Sequence, residues 1–250
     1  MVLDSYFFLA GLAALLVGLS KGGLSSVGML AVPLLSLVIS PLKAAVLLLP
    51  IFVVSDMVGI WLYRKSFDKR NLQILIPAGI FGIFIGWLTA AMVSDAAVKL
   101  LIGLIGLSFC LNMWLRKNQV NEPQSPHPWK GRFWGALSGF TSFISHSGAP
   151  PYQVYMLPQQ LPKVTFAGTT TLFFAVVNAV KIIPYQHLRP YAYEDMLSAA
   201  AMIPFALLGT FLGAYLTKRI ADVWFFRFIQ AGLFVLSLKL TVDAVQTLLL

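Results

Sequence analysis

The sequence predicts an all-α polytopic membrane protein of two pseudo-symmetric repeats, each a broken or re-entrant helical hairpin followed by three transmembrane helices. Three observations carry that expectation. Of 250 residues, 58% are hydrophobic and 11% charged, with a mean hydropathy of +0.82, whereas about 25% of a soluble domain is charged. Apolar stretches of roughly 15 to 25 residues recur along the whole chain, which one anchor on a soluble domain does not give. Two Gly- and Pro-containing breaks, "SKGGLSSVGMLAVP" and "SHSGAPPYQVYMLP", stand at matching places in the two halves.

In chain order the apolar stretches run at about 5–19, 24–39, 43–63, 72–93 and 96–115, then 132–145, 149–161, 165–186, 194–217 and 222–248. The opening "MVLDSYFFLAGL" has no basic n-region and no small-residue cleavage site after it, so it reads as a retained membrane segment and not a signal peptide. The last three stretches of each half are long enough to span a core of about 30 Å. The first two, at roughly 13 to 16 residues, reach only about 20 to 24 Å. Such a pair either descends to mid-membrane and returns or forms one broken crossing. The Pro-, Asn- and Gln-containing segment between the halves is the only obvious linker. Residues 1–116 then form a first transmembrane repeat, 117–130 a cytoplasmic linker and 131–250 a second repeat, all within one integral membrane domain. A shift of 125 carries Ser20, Gly23 and Pro33 onto Ser145, Gly148 and Pro158, and a shift of 127 carries Gly82, Gly86 and Asp95 onto Gly209, Gly213 and Asp222.

The net charge of +9 does not point to nucleic acid. Basic residues gather in the short loops "YRKSFDKRN" (63–71), "LRKNQVNEPQSPHPWKGR" (115–132) and "TKRI" (217–220), where positive charge orients a membrane protein. With the first two loops cytoplasmic, a re-entrant hairpin makes each half cross an odd number of times. The second repeat is then inverted, "TKRI" is inside and both chain ends are outside. A crossing hairpin makes the repeats parallel and puts "TKRI" outside. The positive-inside rule favours inversion, with Lys43 on the outer side counting against it. The single cysteine, Cys110, excludes an intrachain disulfide framework and reads as a small packing residue.

Unwound backbone at membrane depth survives only where protein or a water-filled cavity satisfies its polar groups. Gly22 and Gly23 permit positive φ and close approach, and a new helix beginning at Leu24 or Ser25 would aim free N–H groups, which favour an anion, into the break. In the second half Gly148 loosens the chain, Pro150 and Pro151 suit a first helical turn, and Ser145 and Ser147 bring hydroxyls, with His146 where Lys21 stood. Opposed breaks from two repeats would converge near the midplane, where transporters hold substrate. The plainer alternative for "KGGLSS" is a tight turn outside the membrane. The expected binding residues are therefore Ser20, Lys21, Gly22, Gly23, Ser25, Ser26, Ser145, His146, Ser147 and Gly148.

Ionisable residues within spans add to this set. Asp56 in "IFVVSDMVGIWLYR" and Lys181 in "FFAVVNAVKIIPY" fall in corresponding helices of the two halves, with Ser55 and Asn178 as polar neighbours. Asn178 and Lys181 join the expected anion site, and Asp56 and His146 are the candidate proton-coupling groups. A purely structural ion pair for Asp56 remains the alternative. The glycine steps at 79–86 and 209–213 read as close helix packing, and Trp61, Tyr63, Trp114, Trp129 and Trp134 as interface anchors.

The two Gly-rich breaks each followed by Pro, with a tyrosine near a short basic loop, resemble the TauE/SafE sulfite exporter family. The resemblance covers nearly the whole chain, with Ser147, Ala149 and a Pro pair where the family's second break carries more glycine. It implies a transporter of sulfite or related organosulfonate anions, multi-pass in the bacterial inner membrane, with a small anion and the lipid bilayer as partners. An anion channel is the alternative. No cofactor or metal is expected and an enzyme is disfavoured, because the sequence has no HExxH, no paired intramembrane aspartates and no GxxxxGK[ST] loop. Adjacent Ser145 and His146 do not face each other as a catalytic dyad does.

Overall fold

The computed structural model describes residues 2–35, 38–39, 41–89, 94–115, 122–188, 190 and 192–249, and these form helices and connecting turns with no strand among them. In the first half, α1 (Val2–Lys21) leads through a 3₁₀ segment (Ser25–Leu30) into α2 (Ala31–Leu35), followed by α3 (Pro41–Tyr63), α4 (Lys69–Thr89) and α5 (Asp95–Leu115). In the second, α6 (Pro128–Ser145) leads to α7 (Ala149–Met156) with a 3₁₀ tail (Leu157–Gln159), then α8 (Lys163–Leu188), α9 (Tyr193–Arg219) and α10 (Asp222–Leu249). Helices α3, α4, α8, α9 and α10 are long and apolar enough to cross a membrane, and α5 carries a shorter apolar stretch, Lys99–Leu111. The chain is an all-helical, multi-pass membrane protein.

In the broken segments the first 3₁₀ segment and α2 pack on α1, and α7 on α6. Their leading arms are longer than the apolar runs suggest. α1 has 20 residues and α6 has 18, about 30 and 27 Å. Polar ends account for the difference: α1 continues to Lys21, a cation favoured at a helix C-terminus, and α6 starts at Pro128, whose fixed φ suits the first helical position.

Two compact units form, and each draws on both halves of the chain. One comprises Met1–Asp68 with Lys163–Ala221, the other Lys69–Pro162 with Asp222–Leu250. In the first unit α1 packs on α9, and α3 on α8 and α9. Ala10, Ala13, Ala14 and Val17 recur at helical spacing on one face of α1 and are buried with Leu47, Leu48 and Ile51 of α3 and Ala199, Met202 and Ala206 of α9. Large apolar side chains such as Phe205, Leu208 and Phe211 point outward from α9 instead, the distribution of a helix whose outer solvent is lipid.

In the second unit α4 packs on α6 and α5 on α10. Cys110 is buried there with its Sγ 4.0 Å from the Gln230 carbonyl oxygen, in keeping with a packing role. Of the expected interface aromatics, Trp61, Trp114 and Trp129 are exposed and Trp134 half-buried, while Tyr63 is buried and engaged in the first break.

Candidate functional site

The first break is closed by hydroxyl groups from three neighbouring helices. Gly23 has φ +119°, a left-handed conformation that only glycine adopts without strain. Gly22 serves the other purpose expected of it, since a Cβ there would lie 2.5 Å from the Ala214 nitrogen and the Thr210 carbonyl oxygen of α9. The carbonyls released where α1 ends are satisfied: Thr171 Oγ1 of α8 donates to Lys21 O at 3.1 Å, while Thr217 Oγ1 of α9, at 3.0 Å, and the Tyr63 hydroxyl of α3 both donate to Gly22 O. Ser20 Oγ bonds back to Val17 O at 2.7 Å, and Ser25 and Ser26 are buried where the 3₁₀ segment begins. Gly23→Ala would strain the backbone and push a Cβ to 2.5 Å from Thr217 Oγ1. We expect it to cost about 1–3 kcal/mol, read as a lower melting temperature of the purified protein.

Directly beside this break lies a buried charge cluster. Lys21 Nζ is 2.8 Å from Asp56 Oδ1, and Asn178 Nδ2 donates to Asp56 Oδ2 at 2.8 Å. Both are spacings of charge-assisted hydrogen bonds. The Lys21 ammonium also stands 5.0 Å from the Phe52 ring centre and 5.8 Å from that of Phe174. Three residues along α8 from Asn178, hence on the same face, Lys181 is fully buried with its Nζ 6.0 Å from the Tyr185 ring centre. The Ser55 hydroxyl, next to Asp56 in the chain, is buried and makes no hydrogen bond among the described residues. Of the expected residues, Lys21, Asp56 and Asn178 thus come together, from α1, α3 and α8, with Lys181 about one turn along α8 from Asn178.

The second break, in the other compact unit, satisfies its carbonyls locally. Thr141 Oγ1 of α6 donates to Ser147 O at 3.1 Å and Ser138 Oγ to Gly148 O at 2.7 Å. The left-handed position falls on His146 (φ +53°), while Gly148 is right-handed at φ −74° and precedes α7. α6 thus closes with a left-handed cap on His146, one residue past its end. His146 and Ser147 are buried, and the Ser145 side chain lies outside the described residues. Sequence reasoning misses Tyr63, Thr171, Thr217, Ser138 and Thr141 as the groups that close the breaks. Their only signal is a hydroxyl in an apolar helix, as in "GTTTLFF".

The profile of the sulfite exporter TauE/SafE family matches residues 10–240. The chain belongs to the TauE/SafE family. No curated protein and no solved structure matches it. Membership in TauE/SafE makes the chain a membrane transporter of the sulfite-exporter type.

Proposed function

We propose that this TauE/SafE protein is a secondary transporter that exports sulfite or a related organosulfonate across the bacterial inner membrane, in a proton-linked cycle, with the anion taken up at the Lys21–Asp56–Asn178–Lys181 cluster. The observation behind this reading is the presence of two buried lysines with one carboxylate beside a helix break. Buried charge inside a membrane protein is costly and marks substrate and ion paths. An oxyanion leaving water needs donors to replace its hydration. Lysine ammonium groups and the Asn178 amide supply them.

Sulfite uptake by proteoliposomes holding the purified protein tests the proposal. We expect saturable flux that accelerates when unlabelled sulfite is loaded on the opposite side. Asn178→Ala, which removes a donor at the site, should weaken half-saturation about tenfold, equivalent to about 1.4 kcal/mol. Absence of sulfite and sulfonate flux would overturn the proposal. A voltage-driven conductance without trans-acceleration would replace the carrier with a channel.

A further inference from the structure

We infer that the basic end of this protein is a binding surface for anionic phospholipid, on which aromatic rings hold guanidinium groups at headgroup depth. The basis is a local arrangement that occurs four times. The guanidinium carbon of Arg64 lies 5.5 Å from the Trp61 ring centre, that of Arg132 5.1 Å from Trp129, that of Arg219 5.4 Å from Tyr215 and that of Arg227 5.1 Å from Trp224. Each aromatic precedes its arginine by about one helical turn. Arg70 is the one other arginine among the described residues, so stacking on a ring is the rule for this residue type here.

All four pairs stand on one side of the membrane. The ends of α3 and α9 meet, since Tyr63 and Thr217 both donate to the Gly22 carbonyl oxygen. α4 begins at Lys69 and α10 at Asp222. The connections 64–68 and 220–221 reach about 20 Å at most, short of a hydrocarbon core of about 30 Å. Within its own unit α6 begins beside the first turns of α4, where a Cβ on Gly131 would lie 2.5 Å from Ile74 Cγ2. The pairs thus mark the last turns of α3 and α9 and the first turns of α6 and α10. Lys65, Lys69, Arg70, Lys130 and Lys218 add positive charge there, against Asp68, Glu122 and Asp222.

The four rings and the four arginines are exposed. Trp and Tyr side chains settle at the level of the lipid headgroups. A guanidinium stacked on such a ring is held at that depth, with its in-plane N–H groups left to point outward. Among the described residues none of the four guanidinium groups makes an ion pair or a hydrogen bond. Their planar fork matches phosphate oxygens two at a time, and the oxyanion present at this depth is the lipid phosphate. A zwitterionic headgroup brings its own cation to that phosphate, whereas an anionic headgroup leaves its charge for the arginine. The inference holds whichever anion the protein carries.

Phosphatidylglycerol and phosphatidylcholine with the same acyl chains, titrated into the purified full-length protein in detergent and counted by native mass spectrometry, are the test. The wild type should bind phosphatidylglycerol about tenfold more tightly, with a preference that shrinks as salt is raised. Replacing Arg64, Arg132, Arg219 and Arg227 together by Gln should bring the two lipids to within about twofold. Replacing the same four by Lys keeps the charge but loses the stacked fork, and should lower the preference at least about threefold. Replacing Trp61, Trp129, Tyr215 and Trp224 by Leu leaves every charge in place and should match the Lys variant. The single changes Arg64→Gln, Arg132→Gln, Arg219→Gln and Arg227→Gln, all at exposed positions, give the same reading if a fourfold variant fails to fold. A wild type without the preference, or Gln variants that keep it, would overturn the inference. A Lys variant equal to the wild type would do so too, by reducing the surface to unstructured charge. So would a wild-type dimer that the Gln variant separates, since a second copy would then cover the pairs.

Discussion

Asp56→Ala should deplete the folded protein severely, because it leaves the buried Lys21 ammonium without its counter-charge. The pair sits at 2.8 Å with side chains only 5% and 4% exposed, so little water is available to replace the carboxylate. Removing one partner of a buried pair costs about 3–5 kcal/mol, while replacing both by apolar residues of similar size is often neutral. Lys21→Met alone should be comparably destabilising, since it strands the carboxylate with only the Asn178 amide as a donor. The double variant Asp56→Leu with Lys21→Met should recover most of the lost stability, aided by the Phe52 and Phe174 rings that flank the ammonium. Denaturant unfolding in detergent of the wild type, Asp56→Leu, Lys21→Met and the double variant gives the coupling directly. Additive single effects would mean that the pair does not act as a unit. A double variant that folds but no longer binds sulfite would separate the site's function from its stability.

Much of this arrangement is legible in the sequence, and what escapes it has a common cause. The helix breaks at Gly22–Gly23 and His146–Gly148 can be read locally, because glycine, proline and polar residues weaken a helix at the very place where an apolar run would otherwise extend it. Asp56, Asn178 and Lys181 stand out for a similar reason: a polar side chain in a membrane span has to find company. Which company it finds is a long-range fact. Asp56 and Asn178 meet across 122 positions, and Thr217 reaches Gly22 across 195, separations that no periodicity encodes. Tyr63 departs from expectation because an aromatic at a helix end looks the same in sequence whether it meets headgroups or turns inward to a carbonyl. Helices α1 and α6 exceed their expected lengths because polar first and last turns do not register as apolar.

The glycine seams carry the other large expected effect, and they bear on the proposed duplication. Gly18 of α1 and Gly209 of α9 let those helices meet backbone to backbone: a Cβ at Gly18 would lie 1.9 Å from the Ala206 carbonyl oxygen, and one at Gly209 2.3 Å from that of Leu15. In the second unit a Cβ at Gly82 of α4 would lie 1.9 Å from the Ala136 carbonyl oxygen of α6, and one at Gly139 of α6 2.0 Å from that of Gly79. Each seam joins the broken helix of one half to a helix of the other half that has proline inside it, Pro204 in α9 and Pro77 in α4. The shift of 127 that relates Gly82 and Gly86 to Gly209 and Gly213 carries Pro77 onto Pro204 as well, in keeping with the two repeats expected from the sequence. Because the obstructing atoms are backbone, no rotamer change can admit a side chain, and the helices must separate. Gly18→Val and Gly82→Val should each cost more than the roughly 1–3 kcal/mol of ordinary overpacking, seen as loss of monodisperse protein on size exclusion. Gly11 lies on the same α1, but a Cβ there meets only the Phe205 ring at 3.8 Å. Gly11→Ala should therefore leave yield and melting temperature nearly unchanged, and equal damage from Gly11→Ala and Gly18→Val would refute close backbone contact as the reason for these glycines.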